Sequence, residues 1–212
     1  MSDTIILLAR HGATGSNLAR PYILQGRGVN FELDPLGVKQ AEALAVELKD
    51  TPIKAIYASP LKRSQQTAAI VGKLHNMTPV IIEDITEAET GEWEGLSWDK
   101  IAAGWPKEKA AHDEDPSKQG YPGGESFLDV RNRCIPAFQA LADKHAGETI
   151  FIAGHNVVNR VSLTDWMGIP IRYSRRLPQN NAAYNVILFP HGKVHVQTVN
   201  VTRHLSGLIP PD

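Results

Sequence analysis

The sequence predicts an α/β fold, and three observations carry that prediction. Apolar stretches of strand length recur along its 212 residues, at Thr4 to Ala9, Lys54 to Ala58 and Thr149 to Ala153. Between them lie segments whose apolar residues repeat at i, i+3, i+4 and i+7, the period of an amphipathic helix. Strands that alternate with helices in this way build a sheet with helices packed on it.

Each element follows from local signals. Thr4 to Ala9 is apolar on both faces, as strands of a parallel sheet are, and it stops just short of His11. Asp34-Pro35 supplies a helix cap with proline in the first turn, and Ala41, Leu44, Ala45 and Leu48 give that helix one apolar stripe. Lys54 to Ala58 is the second strand, ended by Ser59-Pro60. Thr67, Ile70, Val71 and Leu74 then mark a second helix with Arg63 in its first turn. Val80 to Ile82 is the third strand. Gly91 and Gly95 break up the acidic segment after it, so a loop is expected there, followed by a short helix near Ser97 to Ala103. Residues 104 to 125 are rich in Gly, Pro, Lys and Asp and lack sustained periodicity, which predicts a surface excursion. Ser126 and Asp129 form a capping box for a helix striped by Phe127, Val130, Cys134, Phe138 and Leu141, with a kink expected at Pro136. Thr149 to Ala153 runs into Gly154-His155 and a helix through about Trp166. A hairpin of Tyr184 to Phe189 and Val194 to Val199, turning at His191-Gly192, closes the chain.

Bulk properties narrow the function classes. A chain of this length supports one substantial core, so residues 1–212 are expected to form one domain. Lys plus Arg (22) nearly cancels Asp plus Glu (23), so no global basic field holds nucleic acid or an anionic membrane, and any anion site must be local. The run Ile5 to Ala9 is too short to span a bilayer or to serve as a signal-peptide core, and it lacks a basic leader. A single cysteine, Cys134, excludes an internal disulfide and fits a reducing compartment, with the cytoplasm as the expected one.

Chemistry concentrates in three places. Arg10-His11, Arg63 and His155 each follow a predicted strand or open the helix after one. In an open α/β sheet the crevice beyond the carboxyl ends of the strands is where ligands bind. Two forked, permanently charged guanidiniums suit a dianionic phosphate. A neutral imidazole is a competent nucleophile towards phosphorus, and arginine neighbours keep it neutral. Protein groups can then supply all the charge stabilisation, so neither metal nor cofactor is expected. A leaving alkoxide needs a proton, for which Glu83, Asp84, Glu87, Glu89, Glu92 and Glu94 are all candidates. Competing sites are poor. Cys134 lacks an arginine six residues on, where Ala140 stands; His191 and His195 have no third ligand nearby; Gly123-Gly124 is not followed by the Gly-Lys-Ser/Thr of a phosphate loop.

The run Leu8-x-Arg10-His11-Gly12-x-Thr14-x-x-Asn17 resembles the signature of the histidine phosphatase superfamily, also called phosphoglycerate mutase-like. Ser59-Pro60-Leu61-Lys62-Arg63-Ser64-x-Gln66-Thr67-Ala68, Glu87-x-x-x-Gly91-x-Trp93-Glu94-Gly95, Pro122-x-Gly124-Glu125-Ser126 followed by Arg131, and Gly154-His155 match further blocks in the same order. The resemblance implies a three-layer α/β/α fold with a mostly parallel central sheet. It also implies His11 as the phosphorylated nucleophile and Glu87 as the acid that later activates water. Arg10, Asn17, Arg63 and His155 would bind phosphoryl oxygens, and Gln25-Gly26 would lie at the pocket mouth. Gly12, Thr14 and Asn156 complete the expected substrate contacts.

Asn156 is a departure, since most relatives place Gly after the second histidine. The stretch from Asn17 to Gln25 is longer than usual, with Arg20, Tyr22 and Arg27 near the entrance. A small phosphorylated metabolite is the expected partner. Hydrolysis is favoured over phosphoglycerate mutase activity because residues 104 to 125 contain no Arg for a substrate carboxylate and because Thr90 stands where those mutases carry Tyr. The phosphatase branch resembled most is that of the broad-specificity and alpha-ribazole phosphatases. A non-catalytic phospholigand-binding member is the reading from another class. Oligomeric state stays open, a homodimer being common among such enzymes.

Overall fold

The strands β1 (Thr4–Arg10), β2 (Ile53–Ala58), β3 (Val80–Ile81), β4 (Thr149–Gly154), β5 (Tyr184–Phe189) and β6 (His195–Val201) form one mixed sheet in the order β3-β2-β4-β1-β5-β6. The structure, a computed structural model, describes residues 3–190 and 194–210. From β3 through β2 and β4 to β1 the pairing is parallel, while β5 and β6 add antiparallel to the far edge. The sheet is thus mostly parallel, as the resemblance implied.

Among the described residues seven α-helices accompany it: α1 (Gly15–Leu18), α2 (Pro35–Leu48), α3 (Lys62–Lys73), α4 (Trp98–Gly104), α5 (Pro106–Glu114), α6 (Phe127–Lys144) and α7 (Asn156–Met167). Side chains alternate between faces along a strand, and this alternation builds the layers. Ile6, Leu8, Ile150 and Ile152 pack on one face with Val130, Phe138 and Leu141 of α6 and Val158 and Val161 of α7. Leu7, Ala9, Phe151 and Ala153 pack on the other with Leu44 and Leu48 of α2 and Val71 of α3. Each large aliphatic side chain so buried contributes about 1.5–3 kcal/mol of transfer free energy.

Helix starts follow the expected caps. The Asp34 carboxylate accepts from the Leu36 N–H at 2.9 Å, and Ser126 and Asp129 form their reciprocal capping box at the head of α6. The helix runs unbroken through Pro136, so the proline removes one hydrogen bond without ending it. Gly168 closes α7 at φ +69°, a left-handed cap that glycine adopts without strain.

Residues 104 to 125, expected as a surface excursion, are mostly exposed or half-buried but carry more order than their sequence pattern suggests. They contain α5, begun by Pro106, and they bury His112 and Tyr121 against Trp93 and Phe127 in an edge-on aromatic cluster. A helix with one narrow contact face has little hydrophobic periodicity, which is why its sequence reads as loop. The expected turn at His191-Gly192 lies outside the described residues, as does His191 itself. Among the described residues, no helix is long and apolar enough to cross a membrane.

Candidate active site

Strand register sets the two histidines side by side. Arg10 of β1 pairs with Gly154 of β4, so the residues that follow, His11 and His155, leave the sheet together with ring centroids 5.2 Å apart. Ala58 of β2 pairs with Ala153 of β4, which brings Ser59 and the head of α3 to the same edge. Arg63, in the first turn of α3, is thereby delivered to the same place as Arg10 and both histidines. The carboxyl ends of three parallel strands meet there.

Close backbone packing holds the His11 loop. A Cβ on Gly12 would fall 2.3 Å from the Gly37 carbonyl oxygen, so α2 lies directly against the loop because both residues are glycine. The Gly12 N–H donates to Thr67 Oγ1 at 3.0 Å, tying the loop to α3.

Hydrogen bonding defines the state of His11. Its Nδ1 lies 2.7 Å from the Gly12 carbonyl oxygen, which can only accept, so Nδ1 carries the proton and Nε2 presents a lone pair. Burial, then the Arg63 and Arg10 guanidiniums, hold its pKa well below the usual histidine range. His155 is also kept neutral by burial and by Arg63, with smaller effects from His11 and Arg10. Its Nε2 lies 2.6 Å from Ser59 Oγ, which already accepts the Leu61 N–H. Nε2 is the one acceptor for this buried hydroxyl among the described residues, so with the hydroxyl donating to it the ring proton of His155 sits on Nδ1.

Each arginine is anchored by its terminal nitrogens. Arg63 donates to the carbonyls of Val29 and Gly26, both at 2.8 Å, and Arg10 donates to the Gln179 carbonyl at 2.7 Å. Burial lowers the Arg63 guanidinium to about 10, which leaves it charged at neutral pH. Arg10 Nε, Arg63 Nε and His155 Nδ1 are buried donors with no hydrogen-bond partner among the described residues. Buried donors in native proteins are almost always satisfied, so three orphans around one imidazole mark a cradle for an anion.

Glu87 is the one acidic residue of its segment that reaches this centre. Glu83, Asp84, Glu89 and Glu92 are exposed, whereas Glu87 is buried and lines the cavity. Its carboxylate accepts the Ala88 and Val157 N–H groups at 2.9 and 3.1 Å, at the start of α7. Glu94 has a framing position: it accepts the Gly26 and Val29 N–H groups at 2.8 and 3.0 Å, fixing the very loop whose carbonyls hold Arg63. Glu125 bridges Arg27 and Arg133, and Arg133 donates to the carbonyls of Asp84 and Glu87. The arginine that answers Glu125 is thus Arg133, while Arg131 pairs with Asp165 at 2.8 Å.

A cavity of about 380 Å³ opens above His11. Arg10, Asn17, Gln25, Glu87 and Asn156 line its inner part. Arg63 and His155 are fully buried beside His11. Gly12, Thr14 and Gly26, expected at the substrate, serve the frame instead. The Gly12 and Gly26 N–H groups are used by Thr67 and Glu94, and the Thr14 hydroxyl lies 3.1 Å from Asn17 Oδ1 and 3.0 Å from Gln25 Oε1. Of the entrance residues, Tyr22 lines the cavity, Arg20 lies outside it in an adjoining groove, and Arg27 pairs with Glu125.

Several cavity residues carried no signal in the sequence. Lys109, Asp113 and Tyr121 come from the segment read as an excursion, and Arg175 follows in a 3₁₀ turn, Ile171–Arg176. Arg160 stands one helical turn after Asn156, a spacing that places both on one face of α7. Behind Arg10, the buried amides of Asn159, Gln179 and Asn185 bond one another, and Asn185 donates to the Leu8 carbonyl at 2.8 Å. Among the described residues, no group of three or more His, Cys, Asp or Glu side chains could hold a metal ion.

Comparisons with known proteins agree on one family. The sequence model of the histidine phosphatase superfamily (branch 1) matches residues 6–202. Phosphoserine phosphatase 1 of Hydrogenobacter thermophilus is 28% identical over 201 residues, covering 95% of this chain and 94% of that protein. The metal-independent phosphoserine phosphatase of Arabidopsis thaliana is 31% identical over 212 residues, covering 97% and 84%. Among solved structures, Bacillus stearothermophilus YhfR superposes with a TM-score of 0.88 at 28% identity, over 95% of this chain and 99% of that one.

Proposed function

The chain belongs to the histidine phosphatase superfamily, and from that premise we propose that it hydrolyses small-molecule phosphate monoesters through a phosphohistidine on His11. The observation that carries this reading is the bond from His11 Nδ1 to the Gly12 carbonyl, which leaves Nε2 as the free nucleophile beside two arginines.

The reaction runs in two steps. In the first, the Nε2 lone pair attacks phosphorus, the P–O bond to the alcohol breaks, and protonated Glu87 gives its proton to the departing oxygen. Arg10, Arg63 and the Nδ1–H of His155 take the phosphoryl oxygens, using the buried donors left without a partner among the described residues. In the second, the Glu87 carboxylate accepts a proton from water as the water oxygen attacks phosphorus, the P–N bond breaks, and His11 Nε2 regains its lone pair. Inorganic phosphate leaves, and Glu87 is protonated again.

Phosphoserine, the substrate in the names of two relatives, is the first natural ester to assay. Hydrolysis of p-nitrophenyl phosphate and phosphoserine in the presence of a chelator, abolished by His11→Ala, is the expected result. Absence of turnover on any phosphomonoester contradicts the proposal.

A further inference from the structure

We infer that Arg160 is a specificity residue which binds a carboxylate on the substrate, so that the preferred esters are phosphorylated hydroxy acids or amino acids. The inference rests on the phosphatase reading above and adds the substrate class to it.

Charge around the cavity singles out Arg160. Arg10 and Arg63 flank His11 and answer the phosphoryl group. Lys109 and Arg175 both pair with Asp113, and Arg175 is further held over the Phe127 ring at 5.6 Å. Arg160 lines the same cavity, is half-buried, and makes no ion pair among the described residues. Among the described residues its one hydrogen bond runs from Nε to the Leu177 carbonyl at 2.9 Å, which orients the guanidinium and leaves both terminal nitrogens unused there. Burial and repulsion by Arg10 and Arg175 lower it to about 10, so the folded protein keeps this cation against its surroundings.

Such a cation is compensated by an anion that arrives with the ligand. A phosphate dianion is matched by Arg10 and Arg63, and Lys109 and Arg175 share the carboxylate of Asp113, so the cavity keeps positive charge in excess and has no ion-pair partner for Arg160 among the described residues. One negative charge answers it, and two adjacent Nη donors form the fork that binds a carboxylate through paired hydrogen bonds. The buried Oδ1 of Asn156, one helical turn before Arg160, has no hydrogen-bond partner among the described residues. It is an acceptor, and a hydroxyl or ammonium on the carbon beside the carboxylate supplies its donor. The volume of about 380 Å³ falls in the range of small-ligand sites, roughly 300–1,000 Å³, and leaves room beyond a phosphoryl group.

The test compares O-phosphoserine with phosphoethanolamine, the same ester without its carboxylate. The wild-type protein is expected to prefer phosphoserine in kcat/KM by at least about tenfold, the worth of one charge-assisted hydrogen bond. Arg160→Gln is expected to erase most of that preference through KM, and Arg160→Lys to keep part of it. If Arg160 only tethers Leu177, the variant changes both esters by the same factor, and the inference is overturned. It is also overturned if the wild type does not discriminate between the two. Should neither ester nor p-nitrophenyl phosphate be turned over, the phosphatase reading fails instead. Calorimetric binding of the same two compounds to wild type and Arg160→Gln then judges Arg160 separately, with tighter, Arg160-dependent binding of phosphoserine expected and equal binding contradicting it.

Discussion

Nδ1 of His11 lies 2.7 Å from the carbonyl oxygen of Gly12, its own neighbour in the chain. A backbone carbonyl cannot turn away or change its protonation, so the tautomer of His11 is built into the loop. With burial, Arg63 and Arg10 all opposing the imidazolium, Nε2 stays available well into the acidic range. The kcat/KM for p-nitrophenyl phosphate, corrected for the ionisation of the substrate's own phosphate, should therefore hold steady as pH falls through 6.5 and drop only well below it. An acidic limb at 6.5 or above would show an ordinary, solvated histidine.

In the proposed reaction Glu87 serves the leaving group and then the water. Glu87→Gln should reduce kcat on phosphoserine by about 10²–10⁴, the usual worth of a positioned acid. The first step with p-nitrophenyl phosphate should suffer far less, because nitrophenolate leaves without a proton. Rapid-quench kinetics should then show a burst of nitrophenol followed by slow turnover, and equal losses in the two first steps would contradict the assignment.

Arg63 depends on a residue that never touches the cavity floor. Glu94 accepts the N–H groups of Gly26 and Val29, and the carbonyls of those same residues hold Arg63. In Glu94→Ala both N–H groups lose the single carboxylate oxygen that accepts them, leaving partly buried donors unpaired. The expected cost is about 1–3 kcal/mol of stability in denaturant unfolding, together with weaker inhibition by inorganic phosphate. Unchanged phosphate inhibition would separate the loop from Arg63.

His112 makes the wall of the site acid-sensitive. Its Nδ1 donates to the Gln119 carbonyl at 2.8 Å, and burial lowers its pKa to about 4. The sign follows from proton uptake: between pH 6.5 and 4 the unfolded chain binds a proton that the folded chain refuses, so stability falls as pH falls. Above pH 6.5 neither state is protonated and His112 contributes no slope. The full loss across that window is about 3 kcal/mol. Comparing unfolding at pH 7 and pH 4.5 for wild type and His112→Gln should show a smaller acid penalty in the variant, and identical penalties would contradict the assignment.

Much of this was legible in the sequence for a physical reason. The chemistry sits where strands end, and the strands are apolar runs bounded by Arg10-His11, Ser59-Pro60 and Gly154-His155, so motif and fold mark the same places. Segments whose positions come from tertiary packing were not legible. α5 is held by His112 and Tyr121 against Trp93 rather than by an apolar stripe. Gln179 orients Arg10 through a backbone carbonyl, a role that leaves no trace in residue type. Arg133, which no motif marks, answers Glu125 because helix rotation, not linear spacing, decides which arginine faces it.

The central claim is that phosphate passes through His11 Nε2. Rapid acid-free quenching of the Glu87→Gln variant with p-nitrophenyl phosphate, followed by peptide mass spectrometry, measures this directly. An acid-labile, alkali-stable phosphoryl group on the peptide carrying His11, absent in His11→Ala, is the predicted result. Phosphate on any other residue, or sustained hydrolysis by His11→Ala, would contradict the account.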